Sequence, residues 1–291
     1  LRIVRAFAVF FGLILAGMAA MALLAYPAWS LLTPAFDVPF HRVASRIGML
    51  ALLIGFILVA RRLGVADRAS LGYGAPRKLF LRELAIALVV GAALMLPVVA
   101  AIGALGLREW KPDAEITAAL AVEGLLRGLA VALIEETFLR GAMFTAIARE
   151  SGARAAIILT SLVYSATHFL ARVRIPADQV TFGSGWDLLA GSLAAFGDPL
   201  SIADAFISLL AVGVLLGMVR HYTGNIAACL GLHAGWVWVI AFARETTSAD
   251  RSHPLAFLVS DFDGLVGWLV LAWTVVIAAI LYFWYGRRRP R

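Results

Sequence analysis

Charge is scarce in this chain: Asp, Glu, Lys and Arg make up 15% of its 291 residues, while 62% are hydrophobic. An ordinary soluble domain carries roughly a quarter charged residues. Too few polar side chains exist to cover a water-exposed surface of this size, which argues against a soluble enzyme, a disordered chain or a coiled coil. Cysteine is nearly missing. The single Cys229 excludes a disulfide framework and a multi-cysteine zinc site, and its apolar surroundings read as those of a small buried side chain. Internal repeats and low-complexity tracts are missing, and nothing alternates with the period of a membrane β-barrel. The net charge of +7 is no nucleic-acid signature. Its Arg and Lys residues sit between and beyond long apolar runs, where a membrane protein places them.

Those runs are what the chain has in place of a surface. A bilayer core of about 30 Å needs about 20 apolar residues in a helix. Eight segments qualify: roughly 6–26, 46–60, 84–106, 117–148, 155–170, 200–219, 225–243 and 264–285. A weaker stretch around 186–196 is too short to span and reads as interfacial or re-entrant. Unpaired backbone groups are too costly in lipid, so the runs must be helical. The expected fold is an all-α, polytopic membrane bundle of about eight transmembrane helices, with residues 1–291 as a single integral membrane domain. The first segment has basic residues before it, but its apolar run exceeds a signal-peptide core and reads as a retained span. With eight spans both termini share a side. The loops on that side, with Arg61, Arg62, Arg68, Arg77, Lys78 and Arg82, together with the tail GRRRPR, hold most of the Lys and Arg. This places both termini in the cytoplasm. The look of the chain suggests a bacterial inner membrane. Tyr26, Trp29, Trp110, Trp268, Trp284 and Tyr285 fall where an interfacial aromatic belt is expected. The partner this implies is the lipid bilayer, with no nucleic acid; a membrane-associated peptide or protein partner is implied only by the family resemblance given below.

Ionisable residues inside spans are costly and therefore informative. The fourth segment carries Glu123, Arg127, Glu135, Glu136 and Arg140. His168 lies on the fifth, Asp204 at the start of the sixth, and His233 within the seventh. Glu136 and Arg140 are i, i+4 and share a face as a structural ion pair. Glu123 and Arg127 are spaced likewise and read as a self-neutralised pair near the outer interface. Glu135 is rotated about 100° from Glu136 and has no cation one turn on. Glu135 is 17 residues before Gly152, in the short turn ARESGAR, and His168 is 16 after it. In an antiparallel hairpin both lie about 24–26 Å from the turn, so a carboxylate and an imidazole can meet. His233 is only about 12 Å from Asn225, at the neighbouring turn, by residue count. It matches that depth if the 135–168 hairpin protrudes or the other turn dips inward.

The sequence EETFLR (135–140) matches the EExxxR motif of the CPBP family, the intramembrane proteases that include Rce1-like CAAX prenyl proteases and the bacteriocin-processing and immunity group. Tyr164-Ser-Ala-Thr-His168 resembles the family's FxxxH motif, with Tyr for Phe. His233 falls where its HxxxN motif is expected, with Val237 in place of the Asn. The resemblance covers roughly 115–245, the expected CPBP-like catalytic core. It implies a metalloprotease-like endopeptidase that hydrolyses a peptide bond of a membrane-associated or lipid-anchored substrate. Glu135 and His168 would activate a water, Glu136 and His233 would assist, and a divalent metal such as zinc, held by Glu135, His168 and His233, is a further possibility. Val237 removes a hydrogen-bond donor from that set. No HExxH, GxSG or GxGD signature is present. Two other readings stand beside it: a non-catalytic scaffold or immunity protein that binds peptides or partner helices, and a proton-coupled transporter. The lack of paired broken helices in two halves opposes the transporter.

Overall fold

Apolar runs of this length leave their backbone no partner in lipid but itself, and long helices follow. A computed structural model describes residues 4–170 and 173–286. The elements are α1 (Val4–Leu32), α2 (Phe40–Ala60), α3 (Arg77–Ala104), β1 (Arg108–Trp110), α4 (Ala118–Glu136), a π-helix (Thr137–Met143), α5 (Phe144–Thr167), α6 (Ser184–Ala194), α7 (Ala203–Thr223), α8 (Ala227–Thr246), β2 (Thr247–Ala249) and α9 (Trp268–Gly286). The fold is an all-α membrane helix bundle. Its only sheet among the described residues is the short antiparallel pair β1–β2.

Among the described residues six helices are long and apolar enough to cross a membrane: α1, α2, α3, α7, α8 and α9. The other two expected spans are helical but more polar. One carries Glu123, Arg127, Glu135 and Glu136 within α4; the other carries Arg149, Glu150 and Arg154 around its turn. The expected single segment 117–148 is not one regular helix, because it passes through the π-helix. The turn expected near Gly152 is present: this residue has φ 84° and ψ 166° inside α5, a backbone conformation that favours glycine. The second segment, short by sequence, starts six residues earlier at Phe40. The stretch at 186–196 is α6, an 11-residue helix packed on α1. Arg2, Arg172 and the basic residues 287–291 of the tail lie outside the described residues.

One end of the bundle gathers the basic turns. The amide of Ala6 donates to Glu150 Oε2 at 3.0 Å, and Arg149 donates to the Gly64 carbonyl and to Ser70 Oγ. The Ile226 amide donates to the Gly72 carbonyl, and Tyr222 stacks on Tyr285 at 4.9 Å. The start of α1, the 61–76 loop, the turns at Gly152 and Gly224 and the end of α9 therefore meet there. The β1–β2 pair lies at the opposite end of α3. Two basic residues near the ends of the bundle are buried. Arg220 is on α7, donating to the Arg140 carbonyl, and Arg108 donates to the carbonyls of Gly264 and Thr247.

Small residues let α8 come close to its neighbours. A Cβ on Gly91 of α3 would lie 2.6 Å from the Leu232 carbonyl oxygen, and one on Gly128 of α4 would lie 2.6 Å from that of Ala234. Helices in lipid associate through such backbone approach, since burying apolar surface from lipid gains little. These two contacts flank His233 and set it between α3 and α4.

Candidate active site

Glu135 and Glu136 end α4, and the π-helix begins at the next residue. A π-turn widens the helix locally and is frequent at functional sites. Glu136 and Arg140 are fully buried, with Arg140 Nη1 3.1 Å from Glu136 Oε1. Arg140 Nη2 also donates to the Gly213 carbonyl of α7 at 3.2 Å, and its guanidinium lies 4.6 Å from the centre of the Tyr164 ring. A buried charge needs this kind of pairing, because desolvation of either ion alone costs several kcal/mol.

The contact of Arg140 with Tyr164 also reports the hairpin register. The two residues are each twelve from Gly152, so equal counts do mean equal depth across this turn. His168 is the residue that ends α5, and its Nδ1 donates to the Tyr164 carbonyl at 2.8 Å. A carbonyl only accepts, so Nδ1 carries the proton and Nε2 is left with its lone pair. The α5 helix stops there, at the level of the site, and the chain leaves it in tight turns from Ser165 to Leu170.

His233 meets the same depth from α8. Its Nδ1 is 2.8 Å from Glu136 Oε1, and its Nε2 is 4.0 Å from Glu135 Oε2. Nine residues separate it from Gly224, about 13 Å, whereas Glu136 is sixteen before Gly152, about 24 Å. The hairpin turn therefore extends about 10 Å beyond the Gly224 turn, which resolves the mismatch that residue counting left open. Asn225 contributes nothing to the site. It caps α8 through the Ala227 amide and donates to Glu83.

The carboxylates face different ways, as their 100° offset requires. Glu136 turns to Arg140 and His233. Glu135 Oε2 is buried without a hydrogen-bond partner among the described residues; 4.0 Å to an imidazole is ion-pair range but too long for a hydrogen bond. Two apolar cavities flank this point. One of about 390 Å³ lies against α1, α2, α4 and α5 and reaches Glu135 and His168. The other, about 220 Å³, lies among α3, α5, α7, α8 and α9 and reaches His168, His233 and Val237. His168 borders both.

Tyr164, noted in the sequence only as a motif position, stands at the centre. Its ring lies 4.5 Å from that of His168 and 5.8 Å from that of His233, besides the Arg140 contact. Gly213 and Arg220 of α7 also support Arg140 and carry no motif signal. Glu123 and Arg127 pair on the exposed face of α4, away from the site, and Asp204 begins α7 by accepting from Ala205 and Ser260.

The zinc set Glu135, His168 and His233 is not assembled. Among the described residues no three His, Cys, Asp or Glu side chains stand as a metal-holding group. The 4.0 Å between Glu135 Oε2 and His233 Nε2 exceeds the roughly 3.3–3.5 Å between tetrahedral zinc ligands.

A membrane-embedded helix bundle that brings two carboxylates and two imidazoles to one depth, Glu136 and His233 buried and Glu135 and His168 partly exposed, defines the class: an integral membrane protein with an acid–imidazole centre. Residues 117–239 match the Rce1-like family, described as type II CAAX prenyl endopeptidase Rce1-like, and over that stretch the chain is similar to CAAX-type intramembrane proteases. No curated protein and no solved structure matches the chain.

Proposed function

We propose that the chain is an intramembrane endopeptidase that hydrolyses a peptide bond of a membrane-associated or lipid-anchored substrate with a water activated by Glu135 and His168. Residues 115–245 are its catalytic core within one membrane domain, and both termini face the cytoplasm. The observation that carries the reading is Glu135 Oε2: a buried carboxylate oxygen without a partner, across from His233 Nε2 and beside the cavity wall that holds His168. Such an oxygen is placed to take a proton.

In this reading Glu135 removes a proton from water while His168 Nε2 accepts the other water hydrogen and orients it. The water oxygen bonds to the carbonyl carbon. His233, held at Nδ1 by Glu136 and carrying a second proton on Nε2, donates to the carbonyl oxygen as it becomes an oxyanion. Glu135 then passes its proton to the departing amine nitrogen as the C–N bond breaks. Glu136 and Arg140 hold His233 in place. The four charged groups Glu135, Glu136, Arg140 and protonated His233 sum to zero, which suits a site of low dielectric. Val237 supplies no donor, so oxyanion stabilisation falls to His233.

The test is turnover of a lipid-anchored fluorogenic peptide by the purified chain in liposomes. Glu135→Gln and His168→Ala should each lower kcat by about 10²-fold or more, with helical content retained. Wild-type turnover in either variant would remove that residue from the chemistry. A dead wild type over a broad peptide panel, with peptide binding intact, would instead favour the scaffold reading that Val237 raises.

A further inference from the structure

We infer that the 220 Å³ cavity holds the stretch of substrate adjoining the cleaved bond, and that Arg244 at its far end binds a carboxylate on that stretch. The inference rests on the hydrolase reading for the position of that bond. The cavity has an apolar wall, including Trp236 and Trp273, between two polar ends. One end is His168 and His233. The other is Arg244 and Asp263, the only Asp, Glu, Lys or Arg among the described residues that border it.

The pairing at the far end leaves the guanidinium unfilled. Arg244 Nη2 is 3.1 Å from Asp263 Oδ2, and its Nε and Nη1 have no partner among the described residues. Asp263 is itself committed: its side chain is 5% exposed, and Oδ1 accepts from the amides of Leu265 and Val266. Asp263 therefore braces one edge of a guanidinium whose own side chain is 43% exposed. Behind the same loop Arg108 donates to the Gly264 carbonyl and lies within electrostatic reach of Asp263. Glu245, the next anion on α8, faces Arg127 at 3.8 Å instead. An arginine with free donors at the mouth of an apolar cavity is suited to bind a carboxylate by a charge-assisted fork.

The spacing limits where that carboxylate lies. His233 and Arg244 are eleven residues apart on one helix, about 16 Å. An extended peptide advances about 3.3 Å per residue, so about five residues of extended chain span the distance from the bond to the carboxylate. A free chain terminus and an acidic side chain present the same group, and the experiment separates them.

Binding is measured with the full chain carrying Glu135→Gln, which keeps peptides intact, and three fluorescent peptides of one sequence. One ends in a free carboxylate, one in an amide, and one in an amide preceded by Glu. A carboxylate on Arg244 should bind about tenfold tighter than the neutral amide. Arg244→Gln should abolish the difference, and Arg244→Lys should retain part of it. Tight binding of the free acid alone identifies a chain terminus; equal binding of the Glu peptide identifies a side chain. If all three bind alike, if none binds, or if the preference survives Arg244→Gln, the inference is overturned. Hydrolysis of the same peptides by the unaltered chain is read separately. Its failure counts against the endopeptidase reading and leaves the binding result to decide Arg244.

Discussion

Glu135 and Glu136 are neighbours in sequence with opposite fates, and the difference is one of partners. Glu136 has a guanidinium one turn away and an imidazole across the helix boundary, both at Oε1, while its Oε2 is buried without a partner among the described residues. Glu135 has neither within hydrogen-bond distance. Arg140 is the residue on which this asymmetry depends. Arg140→Ala would leave a fully buried carboxylate without its cation, a loss of about 3–5 kcal/mol. We expect the melting temperature in detergent to fall by at least about 5 °C. An unchanged melting curve would mean that Glu136 is neutral and that its contact with Arg140 carries no charge pairing.

Helix approach, one scale up, explains how His233 reaches the carboxylates. The α8 helix lies against α3 and α4 with almost no side chain between the backbones at Gly91, Gly128 and Gly235. A Cβ on Gly235 would lie 2.5 Å from the Leu88 carbonyl oxygen. Gly235→Val should therefore push α8 off α3, moving His233 away from Glu136 and costing both stability and turnover. Gly12 offers a control, because a Cβ there meets nothing within 4 Å. Gly12→Ala should leave turnover unchanged and, by relieving the entropy that a helical glycine loses, stabilise the chain by about 0.5–1 kcal/mol. The pair is scored by thermal melts and by turnover of a reporter peptide. Equal effects of the two substitutions would show that close approach does not position His233.

Whole-molecule orientation follows from where the cations collect. The 61–76 loop and the turns at Gly152 and Gly224 lie at one end, and the 247–267 loop lies at the other. The native Cys229 is buried, so it should give little background to a thiol reagent. Ala66 and Ser252 are both exposed. In intact cells a membrane-impermeant maleimide should label Ser252→Cys and spare Ala66→Cys, with both labelled after lysis. The reverse pattern would invert the topology and discard the reading of the basic loops as cytoplasmic. The site lies about 13 Å from the Gly224 turn and about 20 Å from the far end of α8, within the depth of a bilayer core.

Hydropathy alone determined that this chain is a helical membrane bundle, because backbone groups in lipid admit few alternatives. Local spacing determined the Glu136–Arg140 pair, since i, i+4 residues on one helix meet whatever surrounds them. It also placed the turn at Gly152 and the matched depth of the hairpin arms. Contacts between helices distant in sequence were settled only by tertiary packing. Residue counts on α8 could not say that the Gly152 turn protrudes, so the meeting of His233 with Glu136 was not legible. The π-turn after Glu136, the burial of Arg220 and Arg108, and the central place of Tyr164 likewise depend on neighbours that no periodicity encodes. Depth along a helix is additive in residue number, but rotation and offset between helices are fixed by which backbones can touch.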